Sequence, residues 1–222
     1  LLNDGNGTSS GHTRIYRWTG STWSQLGANI DGEAAEDNSG RSVSLSSDGQ
    51  TVAVGAYVND GNGLNSGHTR IYRWTGSAWT QLGADIDGEA AEDNSGFSVS
   101  LSSDGQTVAI GARFNDGDSG DINHNSGHVR IYSWNGSVWS KLGADIDGEA
   151  ATDHSGHSVS LSADGQTVAI GAHLNDGNGL NSGHTRIYRW TGSTWTQLGA
   201  HIDGEAAGDL SGFSVSLSFD GQ

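Results

Sequence analysis

The 222-residue chain has no cysteine, which removes a disulfide framework, a thiolate metal site and a thiol nucleophile together. Nor does it hold an apolar run near the ~20 residues that a helix needs to cross a bilayer. Direct membrane insertion is therefore not expected. No basic segment followed by an apolar one marks a secretion signal. The first residue is Leu1, inside a repeated unit, so the natural chain is expected to be longer. Lysine is nearly absent: Lys141 is one of ten cationic residues set against 26 carboxylates, for a formal charge of −16. That surplus repels nucleic acid and anionic membrane surfaces, and it favours cationic partners and metal ions. No stretch of ten or more residues carries a helical apolar stripe.

Repetition is what the sequence does have. The string Gly-His-Thr-Arg-Ile-Tyr-Arg-Trp begins at Gly11, Gly67 and Gly183, and its variant Gly-His-Val-Arg-Ile-Tyr-Ser-Trp begins at Gly127, giving spacings of 56, 60 and 56 residues. Segment 11–50 differs from 183–222 at six positions. The expected organisation is one tandem array over 1–222: the end of a repeat at 1–10, repeats at 11–66, 67–126 and 127–182, and a truncated repeat at 183–222.

Each unit reads as four short strands. Phe97, Val99 and Leu101 alternate with Ser98, Ser100 and Ser102, the period of a strand with one apolar face. Asp104-Gly105 turns the chain into a second strand, Thr107 to Ala112. Val129 to Trp134 is the third strand, and Asn135-Gly136 leads into a fourth running from Val138 to about Ile146. Such a meander has two faces to bury, so neighbouring units must stack on it. The recurrent aromatics, such as Trp74, Trp79, Trp134, Trp139 and Tyr132, are expected to fill the layers between units.

The stretch Ser95-Gly-Phe-Ser-Val-Ser, then Thr-Val-Ala-Ile-Gly111-Ala112, then an Asn/Gly loop leading to an Arg-Ile-Tyr strand, resembles the FG-GAP repeats of integrin α-subunit propellers and their bacterial relatives. The resemblance implies an all-β propeller of four-stranded antiparallel blades, usually seven, of which this chain is a part: strands three and four of one blade, three whole blades and the first strand of the next. Integrin-type repeats carry calcium between strands one and two. Here that loop has shrunk to Asp-Gly-Gln, so no residue inherits the site.

In an up-and-down meander the long loops share one rim. Only Asp48, Asp104, Asp164 and Asp220 fall in the short turns, which leaves the other twenty-two of 26 carboxylates in or beside the long loops. Two loop families supply candidate metal ligands: Asp31, Glu33 and Asp37 with their counterparts Asp87, Glu89 and Asp93, and Asp116, Asp118 and Asp121 in the longer insertion. Closely spaced hard oxygens of this kind suit Ca²⁺. A solvated acidic rim is the alternative. His12, His68, His128 and His184 recur where the third strand starts, a place for a hydrogen bond to loop backbone.

A repeated unit does not readily build one asymmetric active site, so the expectation is a protein that is not an enzyme. It is expected to act outside the cell or at the cell surface, binding a protein or matrix ligand through its long-loop face. A glycan-binding, lectin-like propeller and a structural spacer are the alternatives.

Overall fold

The computed structural model describes residues 3–117 and 124–222, and every named element in them is a β-strand. A partial unit comes first: β1 (His12–Thr13) pairs antiparallel with β4 (Ile30–Asp31), and β2 (Tyr16–Trp18) with β3 (Trp23–Gln25). Three complete antiparallel sheets follow. The first contains β5 (Ser42–Leu45), β6 (Thr51–Ala56), β7 (His68–Trp74), β8 (Trp79–Gln81) and β9 (Ile86–Asp87). The second contains β10 (Ser95–Leu101), β11 (Thr107–Ala112), β12 (His128–Trp134), β13 (Trp139–Lys141) and β14 (Ile146–Asp147). The third contains β15 (Ser158–Leu161), β16 (Thr167–Ala172), β17 (His184–Trp190), β18 (Trp195–Gln197) and β19 (Ile202–Asp203). The arrangement is propeller-like: sheets of one design stacked face to face. The repeats that start at Gly67 and Gly127, counted from their Gly-His, each give three strands to one sheet and two to the next.

The fourth strand departs from expectation. It is split into β13 and β14, both paired with β12, and the Leu142–Asp145 segment bulges between them. Gly143 lies at φ +83°, where a side chain would be strained, and the Leu142 N–H returns to Ile131 O at 2.7 Å. Residues 213–217 follow the inner-strand pattern but take no place in a ladder; the Leu217 N–H donates to Ser160 Oγ at 3.0 Å.

The core lies between the sheets. Ile71 and Ala53 of the first sheet meet Val99, Leu101, Val108 and Ile110 of the second in one buried layer. Val129, Ile131 and Ala109 meet Leu161, Val168 and Ile170 in the next. Ile15 and Ile30 pack on Val52 and Val54 in a third. Small residues let the inner strands approach closely: a Cβ on Gly111 would fall on the Gly156 carbonyl and the Ser98 hydroxyl. The serines that alternate with Val99 and Leu101 do not simply face water. Ser98 Oγ donates to Gly156 O at 2.7 Å in the following sheet, and Ser100 Oγ accepts the Leu161 N–H at 2.9 Å. The short turns link in the same way, Ser47 N–H to Ser103 O at 2.9 Å and Ser103 N–H to Ala163 O at 2.8 Å.

The tryptophans join sheets as the repeat pattern implies. Trp79, Trp139 and Trp195 donate their indole N–H to Leu26, Leu82 and Leu142 O of the preceding sheet at 2.8, 2.7 and 2.7 Å. Trp23, at the same position of the first unit, is 65 % exposed. One inner position is occupied in successive repeats by Arg41, Phe97, His157 and Phe213. The Arg113 guanidinium lies 3.7 Å from the Phe97 ring centroid, and His157 packs against His173 with ring centroids 3.9 Å apart and planes tilted by 44°. Burial, with the neighbouring His173, Arg113, Arg41 and His154, pushes His157 down to about 3.

Two predictions follow from this packing. Trp139→Phe removes an inter-sheet hydrogen bond and part of a half-buried ring, so urea unfolding should show a loss of roughly 1–3 kcal/mol, whereas Trp23→Phe should stay within about 0.5 kcal/mol of the parent. His157 is neutral in the folded chain and titrates near its ordinary value when unfolded. Its contribution is therefore complete above about pH 6.5 and is lost as pH falls toward the folded value. His157→Phe, which installs the side chain of Phe97 and Phe213, should make the drop in Tm between pH 7 and pH 5 smaller by roughly 2–4 °C, the size of about 1 kcal/mol in a chain of this length.

Candidate functional site

The two long-loop families meet on one rim, as the meander geometry requires. Asn62 Nδ2 donates to Gly88 O at 2.8 Å, the Glu92 N–H to Leu64 O at 2.7 Å, and the Ser95 N–H to Ser66 O at 2.9 Å. The same contacts recur between Asn178 and Gly204 (2.8 Å) and between the Ser211 N–H and Ser182 O (2.9 Å). Non-glycine residues at positive φ close these turns, among them Glu36 at +70°, Asn38 at +53°, Asn65 at +52° and Glu92 at +69°. Among the described residues, the rim loops are tied to one another by backbone and side-chain hydrogen bonds.

The carboxylates divide into builders and presented groups. Asp37 and Asp93 are buried: Asp37 Oδ2 accepts the Ala34 N–H at 2.9 Å, and Asp93 Oδ2 accepts the Ala90 N–H at 3.0 Å and Asn115 Nδ2 at 3.1 Å. Burial raises Asp93 above the ordinary carboxylate range despite these donors. Asp116 Oδ1 accepts the Asn125 N–H at 2.9 Å and so closes its own loop. Asp118 and Asp121 lie outside the described residues. Asp31 and Asp87 present their backbone carbonyls to the next sheet, accepting from Arg70 Nη2 at 2.8 Å and Arg130 Nη2 at 2.7 Å.

Glu33 and Glu89 sit at the junctions between sheets. Arg70 Nη1 is 3.3 Å from Glu33 Oε1, and Arg130 Nη1 is 3.2 Å from Glu89 Oε1. The recurrent histidines face the same glutamates. His68 Nδ1 lies 3.9 Å from Glu33 Oε2 and 3.9 Å from Asp85 Oδ2, and His128 Nδ1 lies 4.0 Å from both Glu89 Oε2 and Asp147 Oδ1. The expected hydrogen bond from these rings to loop backbone is not what the structure places there. The third junction brings Glu149 to His184 at 3.9 Å and to His201 at 3.2 Å. Burial, reinforced by Arg130, pushes His128 down to about 3. Burial and Arg186 push His184 down to about 4. The His128 and His184 rings are therefore neutral near pH 7, each with one nitrogen lone pair that can act as a ligand.

Among the described residues, three groups can offer one ligand atom per residue with these atoms within 4.8 Å of one another: Glu33 with His68 and Asp85, Glu89 with His128 and Asp145, and Glu149 with His184 and His201. The middle junction opens into a pocket of about 280 Å³ that includes Lys141, whose ammonium lies 2.7 Å from Asp145 Oδ1. Sequence reasoning named Glu33 and Glu89 but not Asp85, Asp145, His201 or the arginines. A signal was present: Leu-Gly-Ala-x-Ile-Asp is constant in all four copies while x is Asn29, Asp85, Asp145 and His201.

The short turns do not fit a calcium ion. Asp48 Oδ1 accepts Ser46 Oγ at 2.6 Å and the Gln50 N–H at 2.8 Å, and the Ser46 hydroxyl in particular holds Asp48 below its ordinary range. Asp104 and Asp164 repeat the geometry as turn formers. The string Gly7-Thr-Ser9-Ser-Gly11 matches Gly-x-Ser-x-Gly, but Ser9, at φ +55°, stands where the other copies have Asn65, Asn125 and Asn181 at +52°, +47° and +52°. It is a turn residue of the rim.

No curated protein matches the chain in sequence. Among solved structures, it is similar to two proteins each described as a "putative 6-phosphogluconolactonase". The one from Bacteroides uniformis ATCC 8492 is 12% identical with a TM-score of 0.57, over 86% of this chain and 51% of that one. The one from Bacteroides fragilis NCTC 9343 is 10% identical with a TM-score of 0.55, over 84% of this chain and 45% of that one. The chain thus spans about half the length of these proteins. The likeness is one of fold and names no reaction for this chain. It does correct the expectation that the protein is not an enzyme: a fold shared with proteins described as enzymes gives no ground for excluding catalysis. The FG-GAP repeat family matches residues 28–72 and 140–188. Each match runs from the end of one sheet through the acidic rim loop, the two inner strands and the second rim loop into the Arg-Ile-Tyr strand of the next sheet. The family match, the repeat period and the stacked antiparallel sheets agree: the chain is an FG-GAP-type repeat protein.

Proposed function

We propose that the chain is a binding module of a larger propeller of about seven blades, acting outside the cell or at its surface. Its long-loop rim engages a positively charged protein or matrix partner. The observation that carries this reading is the rim itself, which gathers exposed Glu36, Glu92 and Glu205 on loops held in place by backbone hydrogen bonds. A pre-ordered charged surface loses little entropy when a partner docks, and its field steers oppositely charged partners toward it. Leu64 and Leu180, 60 % and 70 % exposed at the tips of equivalent loops, would add apolar anchors within the charged field. Calcium is the cation that such a carboxylate rim would recruit to assist.

A second reading, glycan binding, is favoured by repeated clefts between sheets. Asp85 and Asp87 face Tyr132 and Trp139 across about 370 Å³, and Asp145 and Asp147 face Tyr188 and Trp195 across about 200 Å³. An aromatic face beside carboxylates suits a sugar ring, and repeated weak sites act multivalently.

The test is surface plasmon resonance on immobilised fibronectin, laminin and collagen, run beside a glycan array. Binding to a matrix protein should weaken at least about tenfold in the Glu36→Gln/Glu92→Gln/Glu205→Gln variant at 0.15 M salt and fade for the parent chain at 0.5 M, as a charge-steered contact requires. Asp220→Asn, on the opposite rim, should leave binding unchanged. Array signal without matrix binding would transfer the assignment to glycans. Matrix binding indifferent to the triple substitution would sink the rim reading.

A further inference from the structure

We propose that the sheet junctions are sites for a divalent transition ion of the zinc class, with the strongest at Glu149, His184 and His201. The site does not rest on the rim reading above, because the ion alone is the ligand. Three observations carry it. His184 is 1 % exposed, and neither of its ring nitrogens has a hydrogen-bond partner. A buried polar nitrogen left unmatched is costly, and native structures rarely tolerate one without a ligand, ion or water. Its Nδ1 is aimed at the cluster, 3.9 Å from Glu149 Oε2 and 3.9 Å from Asp203 Oδ1.

The spacing suits such an ion. Ligand atoms around a tetrahedral zinc stand about 3.4 Å apart, from bonds of about 2.0–2.1 Å. Here His201 Nε2 lies 3.2 Å from one Glu149 oxygen, Oε1, and His184 Nδ1 lies 3.9 Å from the other, Oε2, while one ligand atom from each of the three residues falls within 4.8 Å of the other two. Small side-chain rotations would bring all three to one centre. Glu149 and His201 are 39 % and 35 % exposed, so an ion can enter from solvent while His184 anchors it from within. Arg186 Nη1, 3.7 Å from Glu149 Oε1, adds positive charge, and Asp203 offsets it.

Ligand type sets the preference. Two imidazoles and one carboxylate are borderline donors that select zinc, nickel, cobalt or copper over calcium, which takes six to eight oxygens. The junctions at Glu33, His68 and Asp85 and at Glu89, His128 and Asp145 offer one imidazole and two carboxylates, so they should bind the same ions more weakly.

The test titrates chelator-stripped chain with Zn²⁺ by calorimetry and with Co²⁺ by its visible absorption, which reports nitrogen and oxygen ligation. One tight site and two weaker ones are expected. His201→Asn, at a partly exposed position, should weaken the tight site at least about a hundredfold, more than the loss usual for an outer-shell change. His201→Asp should convert it to the weaker class, and Asp145→His should raise the middle junction toward the tight one. Circular dichroism on each variant, and His184→Gln beside His184→Ala, separate ligand loss from unfolding. His157→Phe, which alters the other histidine cluster, should leave binding unchanged. Absence of saturable Zn²⁺ binding would overturn the proposal, as would binding that follows His157 and ignores His201.

Discussion

Close approach between the inner strands of neighbouring sheets is the constraint on which the rest of this structure depends. Gly55, Gly111 and Gly171 each meet the carbonyl of the equivalent glycine one repeat further on, Gly96, Gly156 and Gly212, and the side-chain-free contact sets the spacing of the stack. At that spacing Ser42, Ser98 and Ser158 reach the same carbonyls at 2.7, 2.7 and 2.8 Å. The apolar faces then close over Ile71, Ile110, Ile131 and Ile170, all at most 2 % exposed. Burial supplies most of the stabilisation, while the serine bonds fix register. A sheet alone would leave one of these faces in water.

The same spacing determines what the rim can do. Arg70, Arg130 and Arg186 extend from a third strand to the carbonyls of Asp31, Asp87 and Asp147 in the preceding sheet. This brings a glutamate from one repeat beside a histidine from the next. Neutral imidazoles, paired guanidinium groups and half-exposed carboxylates therefore recur at each junction, while other carboxylates further along the loops, such as Glu36 and Glu92, are exposed to solvent. Chemistry and presentation divide along the boundary between buried loop builders such as Asp93 and exposed groups such as Glu92.

Much of the fold was legible in the sequence because each strand announces itself. The alternation around Phe97, the Asp104-Gly105 turn and the Val108-Ala-Ile110 run locate β10 and β11, and the repeat phase assigns strands to sheets. The break between β13 and β14 was missed because Lys141 to Ile146 keeps a plausible strand composition; only Gly143 hints at the bulge. The serine face of β10 could be read as solvent-facing, since period alone does not reveal a carbonyl across the gap. Glu33 and Glu89 were found by their acidity, yet their meeting with His68 and His128 was not, because these residues are 35 and 39 positions apart and come together only through the stacking of sheets. Asp37 and Asp93 looked like their glutamate neighbours, and burial against the loop backbone is what distinguishes them.

The central claim is that sheets and rim form one cooperative body held by contacts between repeats. Hydrogen exchange measured by mass spectrometry or NMR tests it directly. The account predicts that the inter-sheet amides of Ser103, Leu161 and Ala163, together with the rim amides of Glu92 and Ser95, exchange only through large-scale opening and share one denaturant dependence. Fast exchange of the rim amides while the inner strands stay protected, or protection that is lost one sheet at a time, would contradict it.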